Sequence, residues 1–406
     1  MRTLRFVAIG ALIAAGIIAR VSTPAVPTTS PVIESRPRAI VCDRATTCVS
    51  VGFMDSRYGV HVPFGASLAG GSWSLLTPQP PSPVVDSELS SVSCDGTGSC
   101  VAVGREEVPA PYLGARSAGD RPLIESWVGS TWLRRPAPIP PGTKDAQLRG
   151  VSCVWSMCMA VGQFGRGAGG DRVLALSWDG TRWSLRLPPH RRYEDDASLE
   201  DVACMSPTSC IAVGQFGFEL LQLYTGVAPL IERWDGTAWH LEISSNAKDS
   251  LDTELNGIAC PTHDRCIAVG FRRHTGGTYS TFAEIRDGGR WRVLRTPDPE
   301  GSPDVELADV ACPRPDRCIA VGSWVSGAHV HGLVESWDGR RWTIEQTPAP
   351  DGSTSNPLSA IACPDPQTCY AVGAYERGSP TEHAFSLRWD GDGWTIVPMP
   401  DPSGPA

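Results

Sequence analysis

The chain has 406 residues, a formal net charge of −9 and a hydrophobic content of 41%. This length suits one large or two ordinary domains, and the acidic balance argues against a general affinity for nucleic acid or anionic lipid. Short apolar runs separated by Gly and Pro outnumber helix-length amphipathic patterns, which favours an all-β fold.

Residues 1–25 are predicted to be a signal peptide. Arg2 and Arg5 precede the apolar run 6–19, which is too short for a comfortable membrane span, and small residues follow it. We therefore expect a secreted, extracellular protein. Retention of the segment as an uncleaved anchor at the cell envelope is the alternative, and it is the only membrane association expected. Residues 26–37, rich in Pro, Ser and Thr, are predicted to form a tether.

One sequence unit recurs seven times over residues 38–400. Each copy begins with a cysteine pair that runs into a sequence such as Cys318-Ile-Ala-Val-Gly322, and successive copies start 51–59 residues apart. All 14 cysteines belong to these pairs, two in each copy. Each copy also has a closing tryptophan: Trp73, Trp132, Trp183, Trp239, Trp291, Trp342 and Trp394.

Five copies carry an aspartate four residues before the closing tryptophan, followed by Gly. These aspartates are Asp179, Asp235, Asp287, Asp338 and Asp390. Asp and Gly tolerate the positive φ of tight turns, so the pair predicts a hairpin between the third and fourth strands of each unit. Seven units of four short strands predict an all-β fold, a seven-bladed β-propeller with four antiparallel strands per blade. The sequence leaves open how the ring closes, and residues 401–406 are a predicted tail.

The cysteine pairs are predicted to be disulfides that close one hairpin in each blade. Facing positions on adjacent strands bring two cysteines within bonding distance, and a secreted chain meets an oxidising compartment. A zinc site needs four converging ligands, and redox pairs generally have Cys-x-x-Cys spacing. The expected bridges are Cys42–Cys48, Cys94–Cys100, Cys153–Cys158, Cys204–Cys210, Cys260–Cys266, Cys312–Cys318 and Cys363–Cys369. Because the third pair is one residue closer, we expect its hairpin to be distorted.

The alternation of Val-x-Cys-x5-Cys-x-Ala-Val-Gly with Trp-Asp-Gly-x-x-Trp resembles the Asp-box (BNR) propellers. It is especially similar to the assembly-factor type related to photosystem II stability factors. Cysteines stand where that family has Phe and Gly, and the spacing from Asp to Trp is one residue shorter. The resemblance implies a propeller in which the Asp stabilises its turn. It says little about activity, because sialidase-like enzymes and non-enzymes share the motif.

We expect any ligand site on the face formed by the loops between the second and third strands and between successive blades. The opposite face carries the near-identical cysteine and Asp-Gly turns, whereas these loops vary in length and chemistry. The candidate ligand-binding residues are Arg105, Tyr112, Arg116, Arg272, Arg273, Tyr279, Trp324, Tyr375 and Arg377. The pair His329-x-His331 lacks a third metal ligand, so we expect no metal and no cofactor. The run 216–224 is interpreted as an apolar loop.

Two classes of function fit these features. The favoured one is a secreted, non-catalytic and monomeric β-propeller scaffold that binds a protein or glycan partner, not nucleic acid, through the variable loops. The alternative is a sialidase-like glycoside hydrolase acting on extracellular glycans. Such an enzyme needs three arginines, a Tyr–Glu pair and an acidic Asp converging from different blades in the central mouth. The sequence names no catalytic residue, because no motif ties these groups together.

Overall fold

The computed structural model describes residues 32–56, 60–76, 78, 85–109, 118–128, 131–167, 170–189, 195–220, 223–245, 252–378 and 381–400. The predicted signal peptide and the tail 401–406 lie outside these ranges. Over the described residues the regular structure is entirely β, and no helix capable of crossing a membrane is found there.

Twenty-eight strands are formed within the described ranges. In chain order they are β1 (Val32–Arg44), β2 (Thr47–Ser56), β3 (His61–Ala69), β4 (Ser72–Leu76), β5 (Ser87–Cys94), β6 (Cys100–Glu107), β7 (Asp120–Val128), β8 (Thr131–Arg134), β9 (Asp145–Val154), β10 (Met157–Gly165), β11 (Arg172–Trp178), β12 (Trp183–Leu185), β13 (Asp195–Ser206), β14 (Ser209–Leu220), β15 (Leu223–Trp234), β16 (Trp239–Leu241), β17 (Asp252–Thr262), β18 (Arg265–Arg273), β19 (Tyr279–Asp287), β20 (Arg290–Leu294), β21 (Val305–Arg314), β22 (Arg317–Ser326), β23 (His329–Trp337), β24 (Trp342–Ile344), β25 (Leu358–Asp365), β26 (Thr368–Glu376), β27 (Glu382–Trp389) and β28 (Trp394–Pro398).

Consecutive groups of four strands form seven antiparallel units, the blades of a β-propeller. Five units are separate sheets, and the fourth and fifth share one sheet through a single parallel pairing of Val227 with Asp252. Every blade is contiguous in sequence, so no strand is exchanged to close the ring. The ring closes by packing and hydrogen bonds instead: Trp73 Nε1 donates to Ser386 Oγ at 3.0 Å, and the Ala384 amide donates to Ser35 Oγ at 3.0 Å.

The first blade begins earlier than the sequence indicated. Strand β1 starts at Val32, and Glu34 and Ser35 pair with Asp55 and Met54 of β2. The described residues of the predicted tether 26–37 therefore belong to the propeller. The run 216–224 also differs from the predicted loop, because its described residues continue the hairpin of β14 and β15 beyond the length of the other blades.

The second strand of each blade is buried on both of its faces. In the sixth blade, residues 318–321 of β22 are all buried, because one side packs against the fifth blade and the other against the seventh. A strand covered on both faces has a continuous apolar sequence instead of an alternating one. This is the reason for the repeated Ile-Ala-Val.

The glycine that follows this apolar run has no room for a side chain. A Cβ on Gly322 would lie 2.0 Å from the Glu306 carbonyl oxygen of β21. The register of β21 shifts between Leu307 and Asp309, so the strand bulges towards the glycine. The corresponding glycines of the six other blades meet a carbonyl oxygen at 1.9–2.2 Å, which explains why every copy keeps Gly here.

All seven predicted disulfides are formed, and each joins the first two strands of its blade. The predicted distortion of the Cys153–Cys158 hairpin was wrong. Val154 pairs with Met157 across a two-residue turn without a register shift, whereas five of the six longer hairpins have a shift beside the bridge. In the short turn Trp155 adopts a φ of 55° and its side chain is exposed.

The Asp-Gly turns have the stabilising bonds that the resemblance implies. Asp338 Oδ1 accepts hydrogen bonds from the amides of Arg340 and Arg341, both at 2.8 Å, and these bonds lower the pKa of the carboxyl group. Equivalent pairs of bonds are made by Asp179, Asp235 and Asp390. The fifth blade differs, because the two glycines at 288–289 form a tight turn with positive φ at both positions.

The first strands of all seven blades line a central channel of about 280 Å³. Polar side chains of these strands join one blade to the next. Backbone amides of one blade donate to side chains of the blade before it: Val151 N to Ser91 Oγ, Cys204 N to Ser152 Oγ, Ile258 N to Asp201 Oδ2, and Ile361 N to Asp309 Oδ2 are examples. Between the fifth and sixth blades the direction is reversed, because Asn256 Nδ2 donates to the Leu307 carbonyl oxygen. The inner ring is therefore held by hydrogen bonds as well as by apolar packing.

Asp309→Ala is expected to lower the free energy of unfolding by about 2 kcal/mol, because two amides lose an acceptor that bulk water does not readily replace. These amides belong to Ile361, at 2.9 Å, and Val310, at 2.7 Å. Chemical denaturation with the disulfides intact measures the change. Asp309→Asn keeps one oxygen acceptor and should lose less. An Asp309→Ala protein as stable as the wild type would contradict this role.

Candidate functional site

Arg105, the first of the predicted site residues, is enclosed by carboxylates. Its guanidinium lies 3.1 Å from Asp86, 2.9 Å from Glu88 and 3.3 Å from Asp120. Three acceptors satisfy the donor fork, so this arginine holds the second blade together and is not free for a ligand. Two other predicted residues, Tyr112 and Arg116, lie outside the described residues.

Two more predicted arginines also have partners within the chain. Arg273 is paired with Asp252 at 3.2 Å. The Arg377 guanidinium lies 5.7 Å from the centre of the Tyr375 ring, a distance at which a cation attracts an aromatic face. Tyr375 in turn contacts Phe385 edge to face and packs on the core between the sixth and seventh blades.

The remaining aromatic candidates pack against neighbouring rings. Trp324 stacks on His331 with ring centres 4.5 Å apart and is half-buried against the core. Tyr279 meets Phe271 edge to face at 5.6 Å. His329 is 6.2 Å from His331, ring centre to ring centre. Among the described residues no group of three or more His, Cys, Asp or Glu side chains is arranged to hold a metal.

Of the five charged residues that line the central channel, where sialidase-type groups would have to converge, four are engaged within the chain, and the fifth, Arg38, lies over the Phe53 ring. Arg149 pairs with Glu200 at 3.2 Å. Asp201 and Asp309 accept backbone amides, and burial raises the pKa of both carboxyl groups, with the charge of Asp309 adding to the rise for Asp201. The channel therefore has few groups available for a ligand.

A larger opening lies between the fifth and sixth blades, with a volume of about 960 Å³. Strand β20 and the segment that follows it form one wall, and the turn between β23 and β24 forms the other. The charged lining residues are Arg272, Arg295, Arg340, Arg341 and Asp298. The apolar lining includes Phe282, Leu294, Trp337 and Trp342. We call this opening the 5/6 cleft.

The 5/6 cleft is open because its linker is tied back to its own blade. Asp298 Oδ1 accepts the Thr281 amide at 2.9 Å and the Thr281 hydroxyl at 3.0 Å. Thr296 Oγ1 donates to the Thr281 carbonyl oxygen at 3.0 Å. These bonds hold the linker against β19, so it does not cross into the space in front of the sixth blade.

The arginines of the 5/6 cleft are less neutralised than the predicted candidates. Arg272 donates to Ser280 Oγ at 3.0 Å, and Arg341 lies 3.7 Å from the exposed Asp338. Within the described part of the chain, Arg295 and Arg340 form no salt bridge. Four guanidinium groups and one carboxylate, that of Asp298, line the cleft, and the exposed Asp338 of the adjoining turn interacts with Arg341 and Arg340. The arginines outnumber these carboxylates, which makes the cleft a positive site on an acidic protein.

Four blades bury a glutamate at the same position of the third strand, opposite the Ala of Ala-Val-Gly. These residues are Glu125, Glu232, Glu284 and Glu335, each no more than 1% exposed. Glu335 lies beside the wall of the 5/6 cleft, where burial and then the charge of Asp298 raise the pKa of its carboxyl group well above the usual value.

Of the seven predicted ligand-binding residues that the structure describes, only Arg272 lines the 5/6 cleft. Arg340 and Arg341 belong to a turn that the repeat marked as structural, and Arg295 follows a short outer strand. A signal was present in the sequence: a charged Glu in an otherwise apolar third strand, and an Arg-Arg pair in one Asp-Gly turn. Neither pattern reveals which neighbouring blade it faces.

No family model matches the sequence, and no curated protein sequence matches it. Among solved structures, the chain is similar to an ulvan lyase, with a TM-score of 0.56 and 11% identity over 91% of this chain and 98% of the lyase. It is also similar to the β-propeller domain of the trilobed protease from Pyrococcus furiosus, with a TM-score of 0.50 and 10% identity over 92% and 100% of the two chains. At these identities the similarities establish the propeller fold alone.

The buried glutamates generate a pH-dependent prediction. Burial raises the pKa of Glu125 to about 7 from an ordinary value of 4.5, so the folded protein retains a proton that the unfolded chain releases between these values. The free energy of unfolding should therefore fall as pH rises from 4.5 to 7, by about 3 kcal/mol at most from this group.

Glu125→Gln should flatten part of this pH dependence and raise stability at pH 8, measured as the unfolding midpoint at a series of pH values. Glu300→Gln, at an exposed linker position, serves as the control and should follow the wild type. A Glu125→Gln profile parallel to that of the wild type would show that Glu125 does not titrate in this window.

Proposed function

We propose that the protein is an extracellular, non-catalytic β-propeller that binds an anionic partner in the 5/6 cleft. The observation that carries this proposal is the set of four guanidinium groups that, with one carboxylate, that of Asp298, line the opening of about 960 Å³. The predicted candidates Arg105 and Arg273 have carboxylate partners at salt-bridge distance, whereas Arg295 and Arg340 have none within the described residues.

Guanidinium groups in a partly enclosed cleft suit carboxylate, sulfate or phosphate groups, because their planar donor forks match these oxygens in pairs. The net charge of −9 means that most of the surface repels a polyanion, so the cleft would also orient the partner. Seven disulfides support an extracellular location, because such bonds persist in oxidising compartments. The Asp-Gly turn bonds support a relationship to the Asp-box propellers.

The binding test uses dextran sulfate as a polyanion and the double variant Arg295→Ala/Arg340→Ala. The wild type should bind with an affinity that falls as salt rises, and the variant should bind about tenfold more weakly, since tenfold corresponds to about 1.4 kcal/mol. Arg182→Ala is the control for loss of an exposed turn arginine outside the cleft. Arg182 lies in the Asp-Gly turn of the third blade, as Arg340 does in that of the sixth, and its guanidinium is 3.8 Å from the turn aspartate Asp179.

Equal losses in the double variant and in Arg182→Ala would mean that dextran sulfate binds to exposed charge in general. No loss in the double variant, or no binding by the wild type, would refute the cleft as an anion site. Melting curves of each variant verify that the fold is retained.

A second candidate function, a glycoside hydrolase, is favoured by one observation. Asp298 is exposed in the cleft while Glu335 beside it is buried with a raised pKa. A buried carboxyl group with a raised pKa beside an exposed carboxyl group is the kind of pair that acid–base hydrolysis of glycosides uses. Release of fluorophore from sialosides or other glycosides, abolished by Asp298→Asn, would replace the non-catalytic proposal with this one.

A further inference from the structure

The cleft between the fourth and fifth blades, which corresponds to the 5/6 cleft, is filled by the chain itself. Ser244 Oγ and the Ser245 amide both donate to Glu284 Oε1, at 2.9 and 2.8 Å. Ser245 Oγ also donates to the Trp291 carbonyl oxygen. Here, hydroxyl and amide groups of the linker satisfy one oxygen, Oε1, of the buried glutamate of the fifth blade.

The same linker places a carboxylate in this filled cleft. Glu242 accepts hydrogen bonds from Trp291 Nε1 at 2.8 Å and from Arg286 at 2.8 and 3.0 Å, and it pairs with Arg233 at 3.1 Å. The segment 242–245 thus presents one carboxylate and two hydroxyl groups. Their partners are an indole N–H, guanidinium groups and a buried glutamate.

Around the 5/6 cleft some of these receiving groups recur without such a segment, although Trp337 stands where the fifth blade has Arg286. Glu335 and Trp342 occupy the positions of Glu284 and Trp291, and arginines line the opening. Within the described residues, Trp342 Nε1 is buried without an acceptor. Both carboxylate oxygens of Glu335 are likewise buried without a hydrogen-bond partner in the described residues, and the nearby Thr281 hydroxyl donates to Asp298. A buried polar group without a partner costs free energy that a ligand can recover.

We propose that the 5/6 cleft binds an acidic saccharide, a sugar that carries both a carboxylate and free hydroxyl groups. The inference rests on the proposed function and narrows its partner. The carboxylate lies between Trp342 Nε1 and the cleft arginines. Glu242 has the corresponding bond from Trp291 Nε1, whereas its partner Arg286 occupies the position that Trp337 takes in the sixth blade. A sugar hydroxyl donates to Glu335, because the neighbouring Thr281 hydroxyl is bonded to Asp298.

A sugar suits these groups better than a free acidic peptide. The segment 242–245 is part of the folded chain, whereas a free peptide must lose backbone conformational entropy for each residue that it orders. A pyranose ring fixes its carboxylate and its neighbouring hydroxyl groups with little further ordering, and such preorganisation strengthens binding. The mostly polar and charged rim also suits a ligand with many hydroxyl groups.

The test titrates the full chain with three acidic oligosaccharides: a galacturonate tetramer, a hyaluronan tetramer and sialyllactose. The fully methyl-esterified galacturonate tetramer and a capped Glu-Ile-Ser-Ser peptide are the comparison ligands. At least one acidic oligosaccharide should bind, and more tightly than the ester and the peptide. Calorimetry measures the affinities.

Two variants locate the contacts. Trp342→Phe removes the N–H donor and should weaken binding of the acidic oligosaccharide about tenfold. Trp394→Phe is its control. Trp394 is the closing tryptophan of the seventh blade, and its Nε1 is also buried without an acceptor in the described residues. Glu335→Leu should weaken it to a similar degree. The fold accepts Leu at this position, since Leu176 and Leu387 occupy it in the third and seventh blades.

Dextran sulfate separates this inference from the proposed function. If it binds through Arg295 and Arg340 but no acidic oligosaccharide binds, the cleft is an anion site and the saccharide inference is wrong. The inference also fails if the ester binds as well as the acid, if the peptide binds more tightly, or if Trp342→Phe and Glu335→Leu bind as the wild type does. Tighter peptide binding would assign the cleft to acidic protein segments.

Discussion

The contact between neighbouring blades is the interaction on which the whole structure depends. A single four-stranded blade has a second strand with no polar face, so it has to be covered on both sides. In the sixth blade, Ile319 and Val321 pack against the seventh blade while Cys318 and Ala320 pack against the fifth. Each blade is therefore a packing partner of two others, and the ring needs no exchanged strand once the first and seventh blades meet in the same way.

This constraint also determines where the repeat is free to vary. The inner strands must approach one another closely, which keeps the glycine after Ala-Val and the small residues beside the channel. The outer part of each contact is less restricted, because short fourth strands and linkers of different lengths meet there. In the cleft between the fourth and fifth blades, the linker from Glu242 to Ser245 fills the space with its own carboxylate and hydroxyl groups. In the 5/6 cleft, the linker turns back to Thr281, and Glu335 and Trp342 Nε1 are left without a partner in the described residues.

Much of the fold follows from the repetition in the sequence, because a pattern repeated seven times identifies the positions at which only one type of residue fits. The disulfides, the Asp338-type turns and the closing tryptophans were all predictable on this ground. The short Cys153–Cys158 hairpin was misjudged, because a two-residue turn is more regular than a longer loop. The start of β1 was missed because Pro, Ser and Thr suggested a tether although Val32 and Ser35 belong to a paired strand.

The site was harder to predict, because the sequence shows a charged residue without its partner. Arg105 looked available, yet three carboxylates from separate parts of the second blade surround it. Arg340 looked structural, yet its turn faces a cleft that the fifth blade leaves open. Whether an arginine is available to a ligand depends on contacts with other strands and linkers. These contacts change with linker length, so the sequence next to the arginine does not show them.

Hydrogen exchange with and without dextran sulfate tests the location of binding most directly. With dextran sulfate bound, we expect the amides of residues 292–298 and 337–342, which form the two walls of the 5/6 cleft, to become more protected, with little change elsewhere. Increased protection at residues 105–107, 323–331 and 375–378, in the variable loops or at the strand ends beside them, with none at the cleft walls, would contradict this expectation.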